Sequence, residues 1–275
     1  MPELPEVETY VRDLTPILDN RTVTGATVFW PRIIAVPTVE EFTQAMLGQR
    51  FTTFGRRGKY MLFGLASGDT LIIHLRMTGR VIVSEHPLPP DKHTHVVFDL
   101  ADGGQMHYQD SRKFGRLWLV ANPTTVLYKL GEEPFAAAFD VDHLAAKLVG
   151  RASPIKALLL DQGVVAGVGN IYADESLFRA GIHPTRPGNS LTKDELTRLH
   201  NAIQTVLAHA IERHGSSLGR SSIQNYARPS GEAGEFQGEH KVFQRTGEPC
   251  LHCGRPIERI VITQRSTHFC PVCQL

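Results

Sequence analysis

Several things are scarce in this sequence, and each scarcity excludes something. No apolar run approaches the roughly 18 residues of a membrane helix, and the first residues are acidic where a signal peptide would be basic and then apolar. The chain is therefore expected to be cytoplasmic, with no membrane partner. Net charge is almost absent, +1 over 275 residues, so bulk charge does not announce a nucleic-acid protein. Cysteine is rare as well, with only four, and all four fall in the last 26 residues. A disulfide framework is then the weaker reading for a cytoplasmic chain.

What is present is ordinary globular composition, 41% hydrophobic and 21% charged, enough for a sizeable core and about two domains. Local charge is more informative than the total. Arg50, Arg56, Arg57 and Lys59 stand together with no acid from 50 to 61, and residues 241–275 carry five cations against two acids. Such patches suit phosphates, although solvated faces are the commoner use of the same residues.

The four cysteines form two Cys-x-x-Cys knuckles, Cys250/Cys253 and Cys270/Cys273, the spacing of a four-cysteine zinc ribbon. Four thiolates fill a tetrahedral ion, so one structural Zn2+ per chain is expected, with no open position for a catalytic water. Ile257–Ile262 and Thr267–Phe269 read as a hairpin between the knuckles, with Gln264, Arg265 and Ser266 at its tip.

The N-terminus, Met1-Pro2-Glu3-Leu4-Pro5-Glu6-Val7-Glu8, supports two readings. Pro5 followed by Glu6 and Glu8 is normal helix-start chemistry, and Val7, Val11, Leu14 and Leu18 recur at helical spacing. Removal of Met1, however, would leave a secondary amine on Pro2. An α-amino group has a pKa of about 7.7–8.0, so at neutral pH a useful fraction is nucleophilic and able to form a Schiff base with a sugar. Glu3 and Glu6 are then in local reach for proton transfer.

Between Arg21 and Val120 the sequence alternates, with candidate strands at 60–65, 70–75, 80–84, 95–100, 105–108 and 117–120, and a short helix near 40–47. An antiparallel sandwich with the first helix packed on it is expected. Residues 121–150 read as connecting, with a helix at 142–148. From Ser153 the character turns helical: Ser153-Pro154 as an N-cap with proline in the first turn, a helix from about Asn170 to Gly181, and one from Thr192 to His214. The glycine-rich turn Gly163–Asn170 brings backbone amides within reach of an anion, with Asn170 capping the next helix, or merely permits tight packing. Residues 215–240 read as a long loop. The fold class is thus α+β in two parts, divided as 1–130, a linker at 131–152, helices and loop at 153–240, and the ribbon at 241–275.

Taken together and in this order, the Pro2–Glu8 start, the Arg56-Arg57-Gly58-Lys59 loop, the Gly163–Asn170 turn and the zinc ribbon resemble bacterial formamidopyrimidine-DNA glycosylases over nearly the whole chain. The Leu4-Pro5 form is similar to that family rather than to its sister endonuclease VIII group. The resemblance implies a helix-two-turn-helix domain before the ribbon. It also implies a base-excision repair enzyme that removes oxidised purines from duplex DNA through a Schiff base on Pro2 and then cleaves the strand.

By the same resemblance Glu3 donates and shuttles protons, Glu6 supports it, and Lys59 contacts phosphate and assists catalysis. Met77, after His74-Leu75-Arg76, and Arg112 and Phe114 in Asp110–Gly115, fill the gap left by the everted nucleotide, with Arg112 on the orphaned base. Without the resemblance, Met77 and Phe114 read as strand core. Lys156, Asn170 and Arg265 resemble the phosphate contacts, Arg265 also standing with the catalytic set. His74 and the loop residue Tyr226 complete the expected DNA-binding residues. The loop from Ser216 to Glu239, with Arg220–Tyr226 inside it, is longer than the family pattern, which bears on base preference. A monomer clamping DNA between two domains is expected. The rivals are a sister-class glycosylase for oxidised pyrimidines and a non-catalytic damaged-DNA-binding protein on the same scaffold.

Overall fold

The computed structural model describes residues 1–218 and 226–275. They form two compact units, 1–128 with 214–235, and 129–213 with 236–275.

The first unit begins with α1 (Leu4–Leu18), whose Pro5 and Glu6 occupy the first turn as the helix dipole favours. Val7, Tyr10, Leu14 and Leu18 are fully buried in the main core, each contributing about 1.5–3 kcal/mol. The elements that follow are β1 (Val23–Val28), β2 (Ile34–Val36), α2 (Val39–Met46), β3 (Phe51–Arg57), β4 (Tyr60–Leu65), β5 (Thr70–His74), β6 (Gly79–Ser84), β7 (Thr94–Leu100), β8 (Gln105–Asp110), β9 (Arg116–Val120) and the short α3 (Thr124–Leu127). They make a four-stranded sheet, β1-β7-β8-β6, and a five-stranded sheet, β2-β9-β5-β4-β3.

The expected sandwich is present with two corrections. β2 pairs in parallel with β9, so the sheet is not wholly antiparallel. β1, β2 and β3 were not among the candidate strands, because Thr, Gly and Ala dilute the alternation in Val23–Val28 and Phe51–Arg57. Two chain reversals carry the chain from one sheet to the other: 75–78 joins β5 to β6, and 111–115 returns from β8 to β9. β6 pairs with β8 through Gly79 and Asp110, and β5 with β9 through His74 and Arg116, so the two corners lie side by side.

The second unit holds α4 (Val141–Leu148), α5 (Ile155–Leu160), α6 (Asn170–Ala180) and α7 (Lys193–Glu212), then β10 (Glu258–Ile262) and β11 (Arg265–Phe269). Thr192 caps α7 with the reciprocal Glu195 bond its sequence predicts. Gly181 ends α6 in the left-handed conformation that glycine adopts without cost. α5 starts one residue later than expected: Pro154, not Ser153, stands at its N-cap. Residues 131–132 bond to the 162–166 turn and belong to this unit's body. The hairpin tip is also shifted. Thr263 and Gln264 take positive φ of 45° and 62° to make the turn, and Arg265 and Ser266 belong to β11. No helix among the described residues is long and apolar enough to cross a membrane.

Candidate active site and nucleic-acid interface

In the first unit Pro2, Glu3 and Glu6 are all buried at the start of α1. The Glu6 carboxylate holds them in place: Oε2 accepts the Glu3 N–H (2.7 Å) and Oε1 accepts the Ser216 N–H (2.8 Å). Gly215, at φ +76°, lets the chain pass so close that a Cβ there would stand 2.5 Å from Glu6 Oε1. One carboxylate thus ties the beginning of the chain to the stem of the 214–235 segment.

Lys59 sits in the two-residue turn between β3 and β4, with Gly58 supplying the positive φ such a turn requires. The hairpin is fastened to α1, because Arg56 Nε–H donates to Glu8 Oε2 (3.0 Å) and Arg12 Nε–H to Glu8 Oε1 (2.8 Å). Burial alone would raise the Glu8 carboxyl, but the two guanidiniums outweigh it and hold it below its ordinary value. Lys59 itself is only 5% exposed. His74 is buried beside it, edge-on to Tyr60, and its Nδ1 accepts the Arg76 N–H (2.9 Å). Burial first, then the Arg76 and Lys59 charges, push its pKa down to about 3, so His74 is a neutral ring at physiological pH.

Met77 lies in the first corner, and Arg112 and Phe114 lie in the second. Met77 is 37% and Phe114 49% exposed, so neither is the strand-core residue that its surroundings in the sequence suggest. The Arg112 guanidinium lies 4.8 Å over the Phe114 ring, a cation–π contact that presents both side chains together. Beneath them is a buried carboxylate that the sequence did not mark. Asp110 accepts the Thr78 hydroxyl from the first corner, and from the second the Arg112 N–H (3.1 Å) and the Gly115 N–H (2.7 Å).

Tyr226, expected to face DNA, packs elsewhere. Its ring stands edge-to-face on Tyr10 at 5.7 Å, and its carbonyl accepts the Ser217 hydroxyl (2.7 Å). Two residues on, Arg228 makes a two-pronged ion pair with Asp13 of α1 (2.8 and 3.0 Å). Tyr226 and Arg228 anchor the returning limb of the loop. The expected loop residues from Arg220 to Asn225 lie outside the described residues.

In the second unit three expected phosphate contacts converge, but not as equals. Arg265 is exposed at the start of β11. Asn170 is the first residue of α6, with Gly169 rather than Asn170 at the cap, and its Nδ2–H donates to the Ser266 carbonyl (3.1 Å). Lys156 is 0% exposed, held inside the unit rather than on its surface. Its ammonium pairs with the equally buried Asp174 (2.7 Å) and donates to Ser266 O (2.7 Å) and Thr267 Oγ1 (2.9 Å). Asp174 Oδ2 in turn accepts the His268 N–H (2.9 Å). Its neighbour Glu175 accepts the N–H groups of Lys241, Val242 and Phe243 at 2.8–3.1 Å. Two successive acids of α6 thus hold both chain segments of the ribbon, and Lys156 sets the strand that carries Arg265.

Asp174→Asn leaves the Lys156 charge buried without its partner, which should cost about 3–5 kcal/mol, whereas replacing both residues by apolar ones of similar volume should recover most of that. Urea midpoints of the two variants, each zinc-loaded, check this expectation. Equal destabilisation of the single and double variants would refute it.

The four cysteine Sγ atoms lie within 4.8 Å of one another, with Cys250–Cys273 at 3.9 Å and Cys253–Cys270 at 3.5 Å. A tetrahedral zinc with Zn–S bonds of about 2.3 Å puts sulfurs about 3.8 Å apart, so the quartet fits the ion. The His252 and Cys273 backbone N–H groups point at Cys250 and Cys270 Sγ (3.4 Å each), as they do around thiolates that carry charge.

Residues 1–117 match the family described as "Formamidopyrimidine-DNA glycosylase N-terminal domain", 130–222 its "H2TH domain", and 247–275 "Zinc finger found in FPG and IleRS". The chain is 47% identical to the formamidopyrimidine-DNA glycosylase of Chloroflexus aggregans, over 100% of this chain and 99% of that one. Against the Geobacillus kaustophilus protein of the same name it is 46% identical over the full length of both. Among solved structures it is similar to Thermus thermophilus MutM (Fpg), with TM-score 0.88, 43% identity and coverage of 99% and 98%. It is also similar to Lactococcus lactis Fpg in complex with abasic-site DNA, with TM-score 0.90, 36% identity and 99% coverage of each chain.

Proposed function

This chain belongs to the formamidopyrimidine-DNA glycosylase family, and from that premise we propose that Pro2, freed of Met1, is the nucleophile of its reaction. The enzyme is a bifunctional DNA glycosylase and AP lyase for oxidised purines in duplex DNA, with one structural zinc. The Pro2 lone pair attacks C1′ of the damaged nucleotide, the glycosidic C–N bond breaks, and the base leaves with a proton supplied by Glu3. The C1′–O4′ bond of the ring then opens, with O4′ taking up a proton through Glu3, and the iminium so formed acidifies C2′; two successive eliminations expel the 3′ and then the 5′ phosphate, leaving a one-nucleotide gap.

The observation that carries this reading is the Glu6 carboxylate, which fixes the Glu3 backbone and hence the residue before it. Lys59, in a turn tied to α1 through Arg56 and Glu8, is the cation for the flanking phosphate, with neutral His74 beside it. Met77, Arg112 and Phe114 fill the space vacated by the everted nucleotide. Apolar wedges offset the few kcal/mol of lost stacking, and Arg112 meets the unpaired base. Asn170 and Arg265 hold the backbone, as helix N-termini and guanidiniums do, while Lys156 acts at one remove by setting β11.

The functional division is a catalytic N-terminal domain, a helix-two-turn-helix region and the ribbon, with the loop stem, expected to go with the helices, packed in the N-terminal unit instead. The enzyme works as a monomer on chromosomal DNA in the cytoplasm. Duplexes carrying 8-oxoguanine or an oxidised pyrimidine at the same position distinguish the two glycosylase classes. Faster excision of the purine, ending in a gap with phosphate at both ends, is expected. Faster excision of the pyrimidine would assign the chain to the sister specificity, and binding without excision of either lesion would assign it to the non-catalytic class.

A further inference from the structure

Asp110 is a charged side chain sealed inside a sheet corner with no cation facing it in any ion pair found among the described residues, and such a group is retained only where its oxygens are well occupied. They are occupied entirely by the two corners. Oδ1 takes the Thr78 hydroxyl and the Arg112 N–H, Oδ2 takes the Gly115 N–H, and the Thr78 oxygen accepts the Arg112 N–H again (3.2 Å). The residue's own carbonyl is held by the His95 ring (2.7 Å).

The backbone around this carboxylate is tightly constrained. Arg76, immediately before Met77, and Lys113, between Arg112 and Phe114, have φ of 53° and 60°, a conformation that costs free energy in residues with side chains. Below, the Tyr108 hydroxyl fills the room where Gly79 and Gly115 would carry a Cβ, at 2.5 and 1.6 Å from the ideal positions. Neither corner can therefore relax by itself, and the Asp110 carboxylate accepts hydrogen bonds from both.

We propose that Asp110 is a positioning residue that locks the 75–78 and 111–115 corners into one rigid head, so that Met77, Arg112 and Phe114 enter a duplex as a unit with their spacing already set. This rests on the reading above that the three side chains occupy the gap left by the everted nucleotide. Such preorganisation matters because entering the base stack orders all three at once, and whatever order is built in beforehand is not lost on binding. Asp110 touches neither DNA nor the reacting atoms. Its influence falls on the extrusion step and on how the base opposite is judged through Arg112.

The test is Asp110→Asn in the zinc-loaded chain that begins at Pro2. Asparagine has the same shape, but its NH2 cannot accept a hydrogen bond, so one set of corner donors is left facing a donor. Single-turnover excision of 8-oxoguanine from duplex should fall by about tenfold to a hundredfold, as expected for one to two buried hydrogen bonds lost from a step that depends on them. Borohydride trapping at an abasic site in single-stranded DNA, where nothing has to be extruded, should stay within about twofold. The ratio of excision opposite C to excision opposite A should move toward that of Arg112→Ala. Thr78→Val, which removes only the hydroxyl bridge, should show the same pattern more weakly.

The proposal is overturned if Asp110→Asn lowers duplex excision and single-strand trapping equally, if it changes neither, or if the opposite-base ratio keeps its wild-type value while excision falls. Arg112→Ala keeps the underlying reading separate. If that variant itself leaves duplex excision and the opposite-base ratio as in the wild type, the assignment of the trio fails, and not merely the role of Asp110.

Discussion

A chain that keeps Met1 forms no borohydride-stable adduct with a duplex containing 8-oxoguanine opposite cytosine, whereas the same chain beginning at Pro2 is trapped covalently and the adduct maps to Pro2. The difference lies in one bond. In the retained form the Pro2 nitrogen is a tertiary amide whose lone pair is delocalised into a carbonyl, and it cannot become an iminium. After removal of Met1 it is a secondary amine whose lone pair is free to attack. The loss should be at least about a thousandfold, the scale seen when a nucleophile is removed while binding is left intact. Duplex binding should survive, because Met1 is a half-exposed terminal residue and is not itself among the groups assigned to phosphate. Mass spectrometry of the N-terminus and an anisotropy titration complete the experiment. Adduct formation by protein shown to retain Met1 would exclude Pro2 and direct attention to a lysine, Lys59 first.

Stripping the zinc abolishes specific duplex binding and leaves the first unit folded. The ribbon's own core is small, Val242, Cys250, Ile257 and Cys270, with Phe178 and Cys273 against it. Structural zinc contributes on the order of 10–16 kcal/mol to comparable fingers, far more than such a cluster can supply. Without the ion β11 loses its frame and Arg265 its position. The Ser266 and Thr267 oxygens that satisfy Lys156 are also lost, so the buried pair with Asp174 opens to water. Affinity for a lesion duplex should fall by at least about a hundredfold, and the salt dependence of what remains should flatten as phosphate contacts disappear. Chelation followed by metal analysis, anisotropy at two salt concentrations and amide exchange across residues 1–128 measure all three. Full affinity in a chain shown to be metal-free would refute the expectation. So would loss of exchange protection in α1 and the sheets, which would make zinc a requirement of the whole fold.

Much of this was legible in the sequence, and the illegible part has a common physical cause. The cysteine spacing, the α1 stripe and the α7 capping box are local patterns, and each produced the element it implied. What misled was side-chain type standing in for environment. Lys156 looks like a surface cation, yet it is fully buried because its partner, Asp174, sits on another helix with no local signature to link the two. Tyr226 was expected among the DNA-binding residues, but its ring packs on Tyr10, more than two hundred positions earlier. Met77 and Phe114 looked like core because a strand pattern runs on either side of them. Only the crossing between sheets reveals that both lie on corners. Asp110, Asp174 and Glu175 went unmarked because a single acid in a strand or helix is usually solvated. The adjacent pair Asp174-Glu175, inside a helix otherwise lined by Ile171, Tyr172, Ala173 and Leu177, was the one available hint.

The bond between Glu6 and Ser216 bears on how the protein is born. Its two ends are 210 residues apart in the chain. A ribosome adding about 5–20 residues per second needs roughly 10–40 s to travel from one to the other. For most of that interval the first helix has left the exit tunnel, but the carboxylate beside the reactive amine still lacks its bond to Ser216. A nascent or prematurely terminated chain therefore carries the amine without its finished setting. The capacity to cut a chromosome arrives only when nearly the whole polypeptide has been made.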